Sequence, residues 1–291
     1  MQYVKAKTIV NRTKDNWWFG TDYGMNIYRG CSFGCIYCDS RSDCYGVENF
    51  DQVRAKEDAL RIVRDDLHKK SKRGVIHTGS MSDPYTPAEK PLQLMRHALE
   101  LINAFHFGVC IATKSPLVVR DIDILQDIQT HSPVIASFSI TALEDHLSGK
   151  IEPNAAPSSE RFQALRALAD AGIYCGVLLM PVLPYLTDSE ENILGIVRMA
   201  AQCGAKYVHT SMGMTLRDGQ REHFYEKIGP EMTKTYQHRY DRRYQCQVPD
   251  SRKLWNAFKK ECDRLGLLYK MEDITADYQK NGFKMDQLSL F

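Results

Sequence analysis

The sequence predicts an α/β fold, an incomplete (βα)6 TIM-type barrel with a mainly helical C-terminal extension. Short β-branched or apolar runs alternate with longer stretches of helical periodicity, the rhythm of a parallel sheet with helical crossovers. The chemically unusual residues follow the strand candidates, and barrels place their chemistry at the C-terminal ends of strands. After about residue 216 the pattern turns basic and aromatic. This gives an N-terminal segment over 1–24, a core over 25–215 and an extension over 216–291.

The strand candidates are 25–28, 75–78, 108–113, 134–140, 174–179 and 207–211. Helices are expected over 51–70, 91–104, 121–129, 158–171 and 189–203. Ser158 and Asp188 are N-cap candidates. Only Asp188, with Glu191 three residues on, resembles a capping box; Gly172 and Gly204 supply stops. Each strand is followed by residues with chemical potential: a cysteine-rich loop after the first, 79–85 after the second, Lys114 after the third. Ser137 and Ser139 end the fourth, Pro181 and Pro184 follow the fifth, and 209–212 close the sixth. In the extension, Phe224, Tyr225, Tyr236, Tyr240, Tyr244, Trp255, Phe258 and Tyr269 read as packing residues.

The chain has 291 residues, enough for one substantial core with an appendage, and 38 Lys and Arg against 36 Asp and Glu. A net charge of +2 argues for neither nucleic acid nor membrane as a global partner. Over 216–270, however, 13 basic residues face 8 acidic ones, a local +5 that suits a polyanion. No apolar leader opens the chain, and the greasiest stretch, 177–186, is broken by Pro181 and Pro184. Nine cysteines without a disulfide framework fit a reducing cytoplasm.

Cys31, Cys35 and Cys38 stand in the run Asn-Ile-Tyr-Arg-Gly-Cys-Ser-Phe-Gly-Cys-Ile-Tyr-Cys, spaced C-x3-C-x2-C. A [4Fe-4S] cluster normally takes four thiolates, so three leave one iron open for catalysis. Gly30 and Gly34 let the backbone curl round a bulky group, and Tyr37 sets an aromatic face beside the third thiol. Structural zinc would need a fourth nearby ligand, for which Cys44 is the candidate within ten residues. His77, His209 and His223 read as hydrogen-bonded core residues. Cys44, Cys110, Cys175, Cys203, Cys246 and Cys262 lack ligand spacing and read as small core residues or idle thiols.

The C-x3-C-x2-C loop with an aromatic before its last cysteine resembles the signature of the radical S-adenosylmethionine (SAM) superfamily. Ser-Asp-Pro-Tyr-Thr-Pro-Ala-Glu at 82–89, Ala-Thr-Lys-Ser-Pro-Leu-Val-Val-Arg-Asp at 112–121, and Glu152-Pro153 followed by Arg161 narrow the resemblance to the spore photoproduct lyase-like branch. It spans residues 20–215. It implies a [4Fe-4S] cluster whose open iron binds SAM, reductive cleavage to a 5'-deoxyadenosyl radical, and an electron donor such as flavodoxin or ferredoxin.

The superfamily's usual Gly-Gly-Glu after the second strand is absent, and Gly79-Ser80-Met81-Ser82-Asp83 occupies its place. Ser82 and Asp83 can accept hydrogen bonds from the SAM ammonium, and Ser137 or Ser139 can bond the ribose. The resemblance assigns the SAM carboxylate to Lys114, an ammonium acting as a point charge; Arg161 is the bidentate alternative. One departure matters. True spore photoproduct lyases carry a hydrogen-donating cysteine at the position of Ser80, and tyrosines around the third cluster cysteine. Tyr37 is kept, but Asp39 follows Cys38. An O–H bond is much stronger than S–H, so the lyase reaction itself is not expected.

The expected function is a radical SAM enzyme abstracting hydrogen from a substrate in DNA repair or nucleic-acid modification, with a DNA or RNA partner. A peptide or small-metabolite substrate is one alternative, a non-enzymatic metal-binding module another. Finally, Gln287-Leu288-Ser289-Leu290-Phe291 resembles the peptide by which bacterial repair proteins dock on the polymerase sliding clamp, with Leu290 and Phe291 as apolar anchors.

Overall fold

The computed structural model describes residues 1–280. Its strands are β1 (Gln2–Val4), β2 (Val10–Arg12), β3 (Tyr23–Met25), β4 (Tyr28–Arg29), β5 (Arg54–Lys56), β6 (Val75–Thr78), β7 (Gly108–Thr113), β8 (Val134–Ser139), β9 (Cys175–Leu179), β10 (Tyr207–Thr210), β11 (Gly213–Thr215) and β12 (Gln245–Gln247). Its helices are α1 (Ala59–His68), α2 (Glu89–Leu92), α3 (Leu94–Ala104), α4 (Ile122–Gln129), α5 (Asp145–Ile151), α6 (Ser158–Asp170), α7 (Glu190–Gln202), α8 (Gln220–Ile228), α9 (Pro230–Tyr240), α10 (Ser251–Leu265) and α11 (Met271–Tyr278).

Six strands run parallel in the order β3-β6-β7-β8-β9-β10, and β2 adds to the β3 edge in antiparallel sense. The strand-helix alternation read from the sequence is therefore the observed (βα)6 core. Side chains alternate across it. Val109 and Ile111 of β7 join the large core under the helices, whereas Cys110 points the other way, with Val75, Ile135, Leu178 and Tyr207. That inner cluster is completed by Phe19, Ile274 and Tyr278, so the N-terminal segment and α11 together fill the concave side at the starts of the strands. The extension also protects the β10 edge: Val208 N–H donates to the Leu268 carbonyl and Leu268 N–H to that of Lys206.

Several elements differ from the expectation. The helix expected over 51–70 begins only at Ala59, because Arg54–Lys56 pairs between β1 and β4 and Asp58 turns left-handed at φ 52°. The helix expected over 91–104 is split by Gln93 at φ 53°. Strand 25–28 is divided, Met25 ending β3 in the barrel sheet and Tyr28 starting β4 in a separate three-stranded sheet. Ser158 is the first residue of α6 rather than its cap, and its hydroxyl donates to the Ala142 carbonyl. Ser189, not Asp188, caps α7 by accepting from Asn192 N–H.

Candidate active site

The three thiols sit on a loop held from both sides. Cys31 N–H donates to the Phe50 carbonyl (2.8 Å), Ile36 N–H to that of Ile151 (3.0 Å) and Asn154 N–H to that of Phe33 (3.1 Å). Gly30, at φ +80°, leaves no room for a side chain, since a Cβ would lie 2.6 Å from the Phe50 oxygen. All three cysteines are free. Burial pushes their thiols up, Cys31 to about 12. Such thiols become thiolates when a cation offsets the burial. Among the described residues no three His, Cys, Asp or Glu side chains are gathered closely enough for a single metal ion. Gly30 and Gly34 hold the loop in left-handed turns, at φ +80° and +70°, and its three free thiols are the ligand type that a [4Fe-4S] cluster takes.

Next to the loop lies a buried charge group that the sequence motif contained but did not explain. Glu152, 1% exposed, binds the fully buried Arg161 guanidinium at 2.5 Å and accepts from the Tyr37 hydroxyl. Tyr37 also meets Thr141 Oγ1 at 3.3 Å. Lys114 Nζ stands 3.9 Å from Glu152 Oε1 and 5.7 Å from the Tyr37 ring centre. Burial opposes the Lys114 ammonium, yet the neighbouring Cys35 and Glu152 outweigh it and hold its pKa above the usual lysine value. Burial first, then the Glu152 carboxylate, drives the Tyr37 phenol well upward, so it remains a neutral donor.

These contacts separate the two cations considered for a carboxylate ligand. Arg161 is spent: besides Glu152, it donates to the carbonyls of Ala156 (2.8 Å) and Ser139 (2.9 Å). Lys114 has one loose partner and reaches the cavity.

Asp83 accepts from Thr113 Oγ1 (2.7 Å), Lys114 N–H (2.8 Å) and Tyr85 N–H (2.9 Å), which ties the loop after β6 to the end of β7. Burial nevertheless raises its pKa from the ordinary aspartate value, against the lowering by these three hydrogen bonds. Ser82 donates to the Tyr28 carbonyl at 2.9 Å, keeping its lone pairs as acceptors. Ser137 is buried against the Tyr207 hydroxyl (2.6 Å) and does not reach the rim; Ser139 is partly exposed at the strand end.

A cavity of about 700 Å³ opens above these strand ends, within the range of small-molecule sites. Tyr37, Cys38, Ser80 and Lys114 line one side. The other comes from Met180, Pro181, the β11–β12 pair, Arg252 and Trp255. Ser82, Asp83, Ser137, Ser139 and Arg161 lie outside its lining. The β11–β12 wall escaped the sequence reading, because its strands are three residues each and pair across some thirty residues. Beside this wall Arg217 pairs with Asp39 (3.2 Å) and lies over Tyr244 (4.9 Å), the one extension aromatic of those singled out that is markedly exposed. The histidines are not gathered: His77 and His209 lie in β6 and β10, His223 in α8.

Comparison with known proteins agrees with this architecture. Residues 25–197 match the radical SAM superfamily, and the chain belongs to it. Membership brings a [4Fe-4S] cluster and SAM. An uncharacterized protein of Mycobacterium tuberculosis is 30% identical over 249 residues, covering 82% of this chain and 73% of that protein. A radical SAM Nalpha-GlyT isomerase of Pseudomonas phage M6 is 21% identical over 210 residues, covering 71% and 43%. Among solved structures, spore photoproduct lyase with bound AdoMet and dinucleoside spore photoproduct superposes with a TM-score of 0.68 at 14% identity, over 92% of this chain and 80% of that one. At that identity the likeness concerns the fold.

Proposed function

We propose that Cys31, Cys35 and Cys38 hold the [4Fe-4S] cluster and that the protein modifies a nucleic-acid substrate. The observation that carries the assignment is that Cys38, the last thiol of the loop, meets Tyr37, Lys114 and Ser80 at one cavity. When bound, the cluster supplies an electron that cleaves SAM to a 5'-deoxyadenosyl radical, which abstracts hydrogen from the substrate. In this reading the Lys114 ammonium pairs with the SAM carboxylate, while Ser82 and Ser139, outside the cavity lining, support it from behind, Ser82 by donating to the Tyr28 carbonyl and Ser139 by accepting from Arg161 at its own carbonyl. Glu152 keeps Lys114 charged and Arg161 in place, and Tyr37 closes the floor beside the third thiol.

Three features support a nucleic-acid substrate: the basic extension, Arg252 in the cavity wall, and the dinucleoside bound by a protein of the same fold. Ser80 stands where the resemblance puts a hydrogen-donor cysteine, so efficient thymine photodimer repair is not expected. A peptide or small metabolite is the competing substrate class. Among the described residues no helix is long and apolar enough to cross a membrane. The clamp-like Gln287 to Phe291 lies outside the described residues; binding of that peptide to a bacterial clamp, abolished by Leu290→Ala with Phe291→Ala, tests it.

The deciding experiment is anaerobic reconstitution followed by SAM cleavage with dithionite. Wild type should hold a [4Fe-4S] cluster and release 5'-deoxyadenosine, and Cys35→Ala should do neither. Undiminished cleavage by Cys35→Ala would refute the assignment. Oligonucleotide binding should fall steeply with salt, with a flatter slope when Arg242 and Arg243 are reversed to Glu. No binding at low salt would favour the peptide or metabolite.

A further inference from the structure

The small sheet beside the cysteine loop carries an arrangement that folding alone does not favour. In the antiparallel β4–β5 pair, Arg29 stands directly opposite Arg54. Like charges facing each other across a ladder are destabilising. Lys56 follows on the same face two residues along β5. Among the described residues none of the three makes an ion pair. Arg29 donates to the Gly46 carbonyl (2.6 Å) and Arg54 to the Glu48 carbonyl (2.7 Å), while Arg54 Nε is buried without a partner. The two guanidiniums are thus fixed in direction by backbone oxygens with their charge left uncompensated. The crowding reaches Lys56, whose pKa is lowered by burial first and by Arg29 next, against a smaller opposite pull from Asp66.

The position of this cation cluster gives it a meaning. Arg29 is two residues before Cys31, so their Cα atoms are within about 7 Å. The segment carrying Gly46 and Glu48 runs on to Phe50, whose carbonyl holds Cys31 N–H. The substrate cavity lies elsewhere, lined by Tyr37 and Cys38 and by none of Arg29, Arg54, Lys56 or Cys31. An electron must reach the cluster without displacing SAM or substrate, and this face is adjacent to the thiol loop yet outside the cavity.

We infer that the β4–β5 face, through Arg29, Arg54 and Lys56, is the docking surface for a small acidic one-electron carrier protein of the flavodoxin or ferredoxin type. The inference rests on the proposed assignment of Cys31, Cys35 and Cys38 to the cluster. Carboxylates on the carrier would supply the counter-charge that the fold omits, steering encounter and fixing orientation. In the encounter the reduced carrier gives up one electron to the [4Fe-4S] cluster, with no bond made or broken.

The test uses the full chain and a bacterial flavodoxin as probe. Arg29→Glu removes the field while placing an opposite charge across from Arg54, so thermal stability should hold or rise. Flavodoxin binding, read by calorimetry or a surface sensor at low salt, should weaken about tenfold or more, and the difference should shrink as salt shortens the screening length. Lys234→Glu, an equal charge change on α9, should bind as wild type. Dithionite-driven SAM cleavage should be the same for wild type and Arg29→Glu, and flavodoxin-driven cleavage should fall in the variant. Equal flavodoxin affinity for wild type and Arg29→Glu overturns the inference. So does a loss confined to oligonucleotide binding, which would give the face to nucleic acid. Absence of dithionite-driven cleavage in both proteins would instead indict the cluster assignment, since the binding comparison reads independently of it.

Discussion

Glu152 shows how one buried carboxylate sorts two nearby cations into different tasks. Arg161 is fully buried, paired at 2.5 Å and further tied to backbone carbonyls, whereas Lys114 keeps 16% of its side chain exposed and a contact of 3.9 Å. Removing one partner of a buried pair leaves an uncompensated charge and costs about 3–5 kcal/mol. Glu152→Gln, nearly the same shape, should therefore lower stability by about that amount, seen as a fall in the denaturant midpoint at unchanged slope. Lys114→Met should behave oppositely, with stability within about 1 kcal/mol of wild type but SAM binding weakened at least tenfold. Melting of Glu152→Gln at the wild-type midpoint would show that the carbonyls alone hold Arg161. Unchanged SAM affinity in Lys114→Met would remove Lys114 from the cofactor site.

At the scale of elements, the loop after β6 is where backbone geometry limits the site most. Gly79 has φ +99°, and a Cβ there would lie 2.0 Å from the Ala112 carbonyl oxygen on β7. Backbone cannot yield as a flexible side chain does, so Gly79→Ala must shift the Ser80–Asp83 turn or the neighbouring strand. A loss of about 3 kcal/mol or more is expected, against near neutrality for Ser80→Ala next door; comparable melting of the two variants would show that the loop yields freely. The same scale explains what the sequence disclosed. Strands 75–78 and 108–113 were legible to the residue because apolar parallel strands form short runs bounded by turn residues. That Tyr37, Cys38, Ser80 and Lys114 meet at one rim was legible because each belongs to a local motif that follows a strand. The Glu152–Arg161 pairing, the removal of Ser137 by Tyr207 and the β11–β12 cavity wall were not, since each depends on residues from separate elements meeting in space. The false helical start at 51–58 arose because Arg-Ala-Lys carries no β signal of its own and becomes a strand only by pairing with β1 and β4.

For the molecule as a whole, the concave side of the barrel is filled by segments distant in sequence. Phe19 N–H meets Met271 Sδ at 3.2 Å and the Tyr278 hydroxyl donates to the Phe19 carbonyl at 2.5 Å, while Trp18 lies edge-on to both His77 (6.2 Å) and His209 (5.9 Å). His77 is 7% exposed and its Nδ1 is buried without a partner, so burial lowers its pKa to about 4; His209 is lowered in the same direction. The linkage follows from which state binds more protons. Between its ordinary value near 6.5 and about 4, His77 is protonated in the unfolded chain but neutral in the folded one. Its neutral burial therefore favours folding fully above pH 6.5, and that stability drains away as the pH falls toward 4. A shift of this size corresponds to roughly 3 kcal/mol, with His209 adding to it. Denaturant midpoints measured from pH 7 down to pH 4.5 should fall for wild type, and the slope should flatten in His77→Gln, which cannot take up the proton. Parallel slopes for the two proteins would mean that the acid sensitivity arises elsewhere, and that the aromatic closure of the barrel tolerates a charged imidazole at its centre.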